Sequence, residues 1–372
     1  MIYLKSWLQG EVGWFAVDST QRQDLRVESR PECMLCGAEG VVLYRDQTDR
    51  LYCTPGLWTL KRCLDSACGL IWLDPTPIRE DIVKAYAGYY THVPQLAPGD
   101  QGRLRRAYRV VRDAYLARRY GYESVDRSLK AFLMGSLLYA FPGQRQKVEA
   151  GVRFIPGVRD GRLLDVGCGS GDWLASMQGR GWNVIGVDFD QHAVSVARGR
   201  GIDVRQGGLE EQSFPTSHFD AVTLNHVLEH VPDPIGTLSE CWRVLKHEGI
   251  LVLFTPNSGS LGHGVFRRDW RGLEPPRHLQ IFRHSSMKAL LVGAGFTDHS
   301  VSTANSRYVW RHSGRLWANR GAWVPVVMDL CFLLELVLLF LMPKIGESLV
   351  VIARKTRDPQ NLGESGPAVS PK

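Results

Sequence analysis

No period recurs along the 372 residues, which excludes solenoids, propellers and other architectures of stacked repeats. Residues 1–21 lack a basic start, an unbroken apolar run and a small-residue cleavage site, so they do not read as a secretory leader. A cytoplasmic chain is expected, at most peripheral to the inner membrane face. Thiols stay reduced there, so the 8 cysteines point away from a disulfide framework and toward metal binding or burial. Acidic residues are the scarcer charge: 38 Asp and Glu against 45 Lys and Arg give a formal charge of +7 and a pI near 9.0. That balance favours anionic partners such as phosphorylated substrates, nucleic acid or membrane surfaces, without choosing among them. With 44% hydrophobic residues, the chain has room for one full α/β domain and a smaller module.

Cysteines dominate residues 1–77, and the Asp74 to Pro77 turn closes that segment. Residues 78–150 are Arg- and Tyr-rich with helical spacing. Leu104, Tyr108, Val111 and Tyr115 share one face, while Arg105, Arg106, Arg109 and Arg112 lie largely elsewhere. From Gly161, the strand-like runs RLLDV, NVIGV, IDVRQ, DAVTL and GILVLF alternate with mostly helix-sized segments. This alternation predicts an α/β domain over 151–355 with a parallel sheet and crossover helices. The Pro-, Gly- and Ser-rich tail, 356–372, reads as disordered.

The first strand runs into LLDVGCGSGDW, which places Gly167, Gly169 and Gly171 at the mouth of a helix. Glycines there let the backbone turn sharply and approach a ligand, and the helix start offers free amide donors. A dinucleotide fingerprint needs Gly or Ala at position 172; Asp172 stands there, which argues against NAD.

With these motifs in order, the stretch from about Arg162 to Phe296 resembles the class I S-adenosylmethionine-dependent methyltransferases. The resemblance implies a Rossmann-like seven-stranded sheet whose last strand is antiparallel. It implies that Asp165 and the loop of Gly167, Cys168, Gly169 and Gly171 hold the methionine end of the cofactor. Asp188, closing the second strand with Phe189 beside it, would accept hydrogen bonds from both ribose hydroxyls. Gly208 and Leu209 stand where many members carry an acid for the adenine amino group, leaving adenine to backbone groups and Leu209. Asn225 would line the cofactor near its sulfonium.

Methyl transfer from a sulfonium is an in-line displacement, so holding nucleophile, methyl and sulfur collinear supplies much of the catalysis. A hydroxyl nucleophile also needs a base, which histidine fits. His278 in PPRHLQIF is the first candidate and His230 in NHVLEHVPDP the second. The pattern around His278 resembles a subgroup acting on small molecules, sugars and biosynthetic intermediates. There Arg277 would neutralise an acidic acceptor and Trp270 would form an apolar wall. The competing expectation is that these histidines brace loops. Glu229 with His230 also resembles quinone O-methyltransferases that use a divalent ion, although two residues do not establish a metal site. The Asn- or Asp-Pro-Pro-aromatic motif of amino-group methylation is absent, so oxygen, then carbon, acceptors lead. The expected partner is a small-molecule or glycan-type acceptor rather than nucleic acid. An RNA methyltransferase and a non-catalytic cofactor-binding protein are the alternatives.

Cys33, Cys36, Cys63 and Cys68 form two pairs, each followed by a glycine, Gly37 or Gly69. Four thiolates suit a tetrahedral structural zinc, and the glycines let amides turn toward sulfur. The second pair is spaced more widely than usual, and Cys53 is a spare ligand. The segment resembles the amino-terminal zinc module, zinc-ribbon-like, that precedes some bacterial sugar and small-molecule methyltransferases, and it is expected to support the acceptor pocket. Cys168, Cys241 and Cys331 read as core residues.

Residues 323–342 are long enough to span a bilayer, but Asp329 and Glu335 would each cost about 2.5–3.5 kcal/mol at its centre. GESLVVIARK reads as the seventh strand, which returns into the same sheet and cannot lie across a membrane from it. The stretch then belongs to a hydrophobic helical insertion, 306–345. It would pack on the domain, form a homodimer, or lie on lipid beside Arg307, Arg311, Arg315 and Arg320; packing or dimerisation is preferred.

Overall fold

The computed structural model describes residues 25–86, 103–123, 128–318 and 323–356. The amino-terminal part holds five short strands, β1 (Val27–Glu28), β2 (Gly40–Gln47), β3 (Trp58–Cys63), β4 (Ile71–Leu73) and β5 (Thr76–Pro77), then a 3-10 helix, Arg79–Tyr86. Three helices follow: α1 (Arg103–Tyr120), α2 (Leu129–Ser136) and α3 (Pro142–Gly151). The alternating region then runs β6 (Arg162–Val166), α4 (Asp172–Gln178), β7 (Asn183–Asp188), α5 (Gln191–Gly199), β8 (Asp203–Gln206) and β9 (Phe219–Asn225). It continues through α6 (Pro234–Val244), β10 (Leu245–Pro256), α7 (Leu261–Phe266), β11 (Gln280–Ile281), α8 (His284–Gly293) and β12 (Asp298–Ala304). Two helices, α9 (Arg307–Trp317) and α10 (Val324–Leu341), precede β13 (Ser348–Arg354).

Seven strands make the main sheet in the order β12-β13-β10-β9-β6-β7-β8. Strands β6 to β10 pair in parallel, and β13 inserts antiparallel to both β10 and β12. This is the Rossmann-like methyltransferase sheet with its antiparallel last strand. Period-two alternation covers both faces: Leu164, Val166, Val222 and Leu251 pack in one cluster, Leu163, Ala221, Ile250 and Val252 in another. Strand order reverses beside β6, between β7 and β9, so the carboxyl ends there open into a crevice that takes ligands in such sheets.

A second sheet explains how the amino-terminal segment is held. Its order is β11-β4-β3-β2, all antiparallel, and β11 comes from the loop after His278. Leu73 extends the join by donating its amide to the Leu279 carbonyl at 3.0 Å. Cys33, Cys63, Cys68, Leu70 and Trp72 share a core cluster with the main sheet, so the segment is packed into the body of the α/β domain.

α9 and α10 lie between the sixth and seventh strands of the main sheet. Asp329 of α10 accepts from Arg307 and Arg311 of α9, each Nε at 2.7 Å, and Glu335 accepts from Trp310 Nε1 at 2.9 Å. Among the described residues no helix is long and apolar enough to cross a membrane. Arg320 and the tail beyond Thr356 lie outside the described residues, as do the side chains of Leu104 and Arg105.

Candidate active site

At the carboxyl end of β6, Asp165 is buried and accepts from Thr223 Oγ1 of β9 at 2.7 Å and from Arg153 Nη1. Burial raises its pKa against the opposing pull of Arg153 and Thr223. Its second oxygen is buried with no hydrogen bond from the described side chains and backbone, an acceptor left over in the crevice. Arg153, which carried no local sequence signal, lies with its guanidinium 3.7 Å from the centre of the Trp173 ring. It couples α3's exit to β6 and α4.

The loop after β6 turns through Gly167, Gly169 and Gly171, all at positive φ. At Gly167 the requirement is twofold, since a Cβ would also stand 2.3 Å from Val227 Cγ2. Its amide donates to Val187 O at 2.7 Å, and Gly169 N donates to Asp188 Oδ2 at 2.8 Å. Asp188 Oδ1 accepts from Asp190 N at 2.9 Å, so the carboxylate at the β7 tip is fixed against the glycine loop. Cys168 sits inside that loop, half-buried. Phe189 is exposed and meets Tyr86 edge-on, with ring centroids 5.0 Å apart.

After β8, Gly208 N donates to Glu211 Oε2 at 3.2 Å. Leu209 departs from expectation: its side chain is buried in the core cluster with Phe214 and Val187, leaving only its backbone for a ligand. Asn225 is exposed at the β9 tip.

Two histidines converge beyond β9. His230 Nδ1 lies 3.0 Å from Arg277 O, and His278 Nδ1 lies 2.7 Å from Gly272 O. A carbonyl can only accept, so each Nδ1 carries a proton, which makes Nε2 the basic nitrogen of each ring; that of His278 lies 3.8 Å from Glu274 Oε2. The rings meet edge-on at 4.8 Å, and Tyr86 lies 5.9 Å from His230. His230 is half-buried; His278 is enclosed, and burial drives its imidazole down to about 4 although Glu274 opposes. Glu229 is fully buried, accepting from Thr255 Oγ1 at 2.9 Å and from His226 Nδ1 at 3.1 Å. Burial alone would raise its carboxyl, but the His226 hydrogen bond and three nearby imidazoles pull it to about 2. Ligand atoms of Glu229, His230 and His278 lie within 4.8 Å of one another, a donor set for a divalent cation.

The acceptor-side expectations need correction at two residues. Arg277 is fully buried and already neutralised: Asp49 takes its two Nη groups at 2.8 and 2.9 Å, and Glu274 takes Nε at 2.9 Å. It is a strut between the amino-terminal segment and the histidine loop, with no cation left over for a substrate. Trp270 is buried too, donating Nε1 to Glu347 at 2.7 Å within the cluster that seats α9 and α10. Its ring braces the loop and is not an open wall.

Cys33, Cys36, Cys63 and Cys68 bring their sulfurs within 4.8 Å of one another, with Cys36 to Cys63 at 3.3 Å and Cys33 to Cys68 at 3.7 Å. Tetrahedral zinc with bonds of about 2.3 Å places sulfurs about 3.8 Å apart, so the set fits. Gly37 and Gly69 take positive φ just after each pair. Cys53 is exposed and outside the cluster.

Residues 142–301 match the family model for a methyltransferase domain. A ubiquinone biosynthesis O-methyltransferase from Hahella chejuensis is 41% identical over 103 residues, 26% of this chain and 43% of that protein. A "Probable S-adenosylmethionine-dependent methyltransferase" from Mycolicibacterium smegmatis is 35% identical over 141 residues, 36% of this chain and 51% of that protein. The chain thus spans about half the length of the curated relatives it matches. Among solved structures, an Archaeoglobus fulgidus SAM-dependent methyltransferase aligns at 24% identity and TM-score 0.40, covering 59% of this chain and 99% of that one. Residues 142–301, with β12 and β13 completing the sheet, therefore form a class I S-adenosylmethionine-dependent methyltransferase domain.

Proposed function

We propose that the chain methylates a hydroxyl oxygen, or less readily a carbon, of a small-molecule or glycan-related acceptor. S-adenosylmethionine, when bound, supplies the methyl group. The observation that carries the reading is the convergence, at the crevice edge, of two histidines whose Nδ1 protons go to backbone carbonyls, leaving Nε2 as the basic nitrogen of each ring. Asp165, Gly167, Cys168, Gly169, Gly171, Asp188, Phe189 and Asn225 would hold the cofactor, with Gly208 and the Leu209 backbone at its adenine end. His230, the more accessible ring, would take the acceptor proton. His278 would orient it, and the Glu229 charge would favour the imidazolium that forms. The relatives named for O-methylation support oxygen over carbon. Supplying phenolic and sugar hydroxyl compounds with labelled cofactor tests it. Label in such a product is expected; label only in RNA would favour the nucleic-acid alternative, and cofactor binding without any turnover the non-catalytic one.

A second reading has one observation in its favour, the clustering of Glu229, His230 and His278. These residues would hold a divalent cation that polarises the acceptor hydroxyl. Turnover abolished by chelation and restored by magnesium, with the cysteine-bound zinc still in place, would select it. The four amino-terminal cysteines would hold a separate, structural zinc that sets β3 and β4, and through β4 the histidine loop.

A further inference from the structure

The insertion was expected to pack on the domain, dimerise or lie on lipid, with packing or dimerisation preferred; it packs by one face only. Val324, Met328 and Glu335 are buried toward Trp270, Leu273 and Trp310, and Asp329 is neutralised by two arginines. Val326, Leu330, Leu333, Leu334, Val337 and Leu341 are all exposed. At 100° per residue these six fall within one arc of about 100°, along a helix about 27 Å long. The arc carries no charged residue.

Its ends are different in kind. Exposed Trp317 and Trp323 flank the start of α10, and beside them stand exposed Arg268 and Arg315, while the neighbouring Arg50 is paired with Asp269 at 2.7 Å. Exposed Lys344 follows the other end. An apolar strip with tryptophans and cations at its margin is the composition of a helix lying in a lipid headgroup layer. A second copy suits it poorly, because basic residues at both ends face basic residues whether the two helices run parallel or antiparallel.

We propose that the outward face of α10 docks the protein lengthwise on an anionic lipid surface. The buried face packs on α9 and shares one hydrophobic cluster with Trp270, Leu273 and Leu279 of the loop that carries His278, so docking holds the acceptor side of the crevice near the bilayer. That surface would then also supply an apolar acceptor, a corollary that rests on the methyl-transfer reading above; the docking itself does not.

Sedimentation of the full chain with vesicles tests it. The chain is expected to pellet with phosphatidylcholine–phosphatidylglycerol vesicles, less with phosphatidylcholine alone, and less at high salt. Leu330→Ser with Leu334→Ser should lower the partition about tenfold or more, with melting temperature and S-adenosylhomocysteine affinity unchanged. Arg315→Glu with Lys344→Glu should remove the preference for the anionic lipid. A chain that stays in solution with both vesicles overturns the proposal, as does undiminished binding by the leucine variant. So does a lipid-free dimer that the leucine variant dissolves. Vesicle binding without S-adenosylhomocysteine binding would sink the methyltransferase reading and leave the docking standing; the converse result would do the opposite.

Discussion

A histidine is useful as a base only if its lone pair faces the substrate, and backbone carbonyls decide that here. Arg277 O and Gly272 O take the Nδ1 protons of His230 and His278. His230→Ala should lower the single-turnover rate by about a hundredfold with S-adenosylhomocysteine affinity intact, and His278→Ala should lower it less. An unchanged rate for His230→Ala would leave the ring a mere brace. Asp49 acts one step back, through its ion pair with the buried Arg277. Asp49→Ala should cost about 3 kcal/mol in denaturant unfolding because it removes the carboxylate from both Nη groups of a buried cation, leaving Glu274 on Nε alone. The glycine loop, Asp188 and both histidines were legible in the sequence because each sits in a local motif whose spacing has a geometric meaning. Arg153, Asp49 and Tyr86 were not. They reach the site from segments distant in sequence, and nothing around them distinguishes a buried partner from a solvated charge. For the same reason Arg277 looked available: its sequence neighbours do not reveal that Asp49 would saturate it.

At the scale of elements, the strand that joins the amino-terminal sheet to the catalytic body is only two residues long, β11. Its order depends on β4, and β4 on the four-cysteine turn. Metal analysis of the purified chain should find one zinc, and its removal should lower the melting temperature and slow methyl transfer together. A chain without zinc that is equally stable and active would contradict this. α10 is stapled differently, through Glu335, which faces Glu347. Burial, then mutual repulsion, pushes Glu335 up to about 8, and burial pushes Glu347 up to about 7. Unfolded carboxyls ionise near 4.5, so the native state binds more protons above that pH. Stability from this pair is fully present below about 4.5 and lost as pH rises through about 8. Glu335→Gln should flatten the fall in melting temperature over that range; an equally steep fall would place its origin elsewhere. The strand alternation of β6 to β10 could be read in advance because period two and buried faces are local properties. Which face of α10 turns inward could not, because that depends on Trp310 meeting Glu335, and Arg307 and Arg311 meeting Asp329, in space.

At the scale of the molecule, the cofactor crevice, the histidine loop, the cysteine turn and the insertion form a continuous series of contacts. Cluster membership ties the cysteines to the main sheet and the insertion to the loop. The order of the series was visible as sequence order. Its closure, with β11 crossing back to β4, was not, since a two-residue strand has no periodicity to detect. The proposed methyl transfer depends on Asp165, the glycine loop and Asp188 cradling the cofactor. Calorimetric titration of S-adenosylhomocysteine into the chain and its Asp188→Ala variant tests that cradle most directly. One-to-one binding by the parent, weakened about tenfold or more in the variant, is the expected result. No heat from the folded parent, or equal affinity in both, would contradict the account.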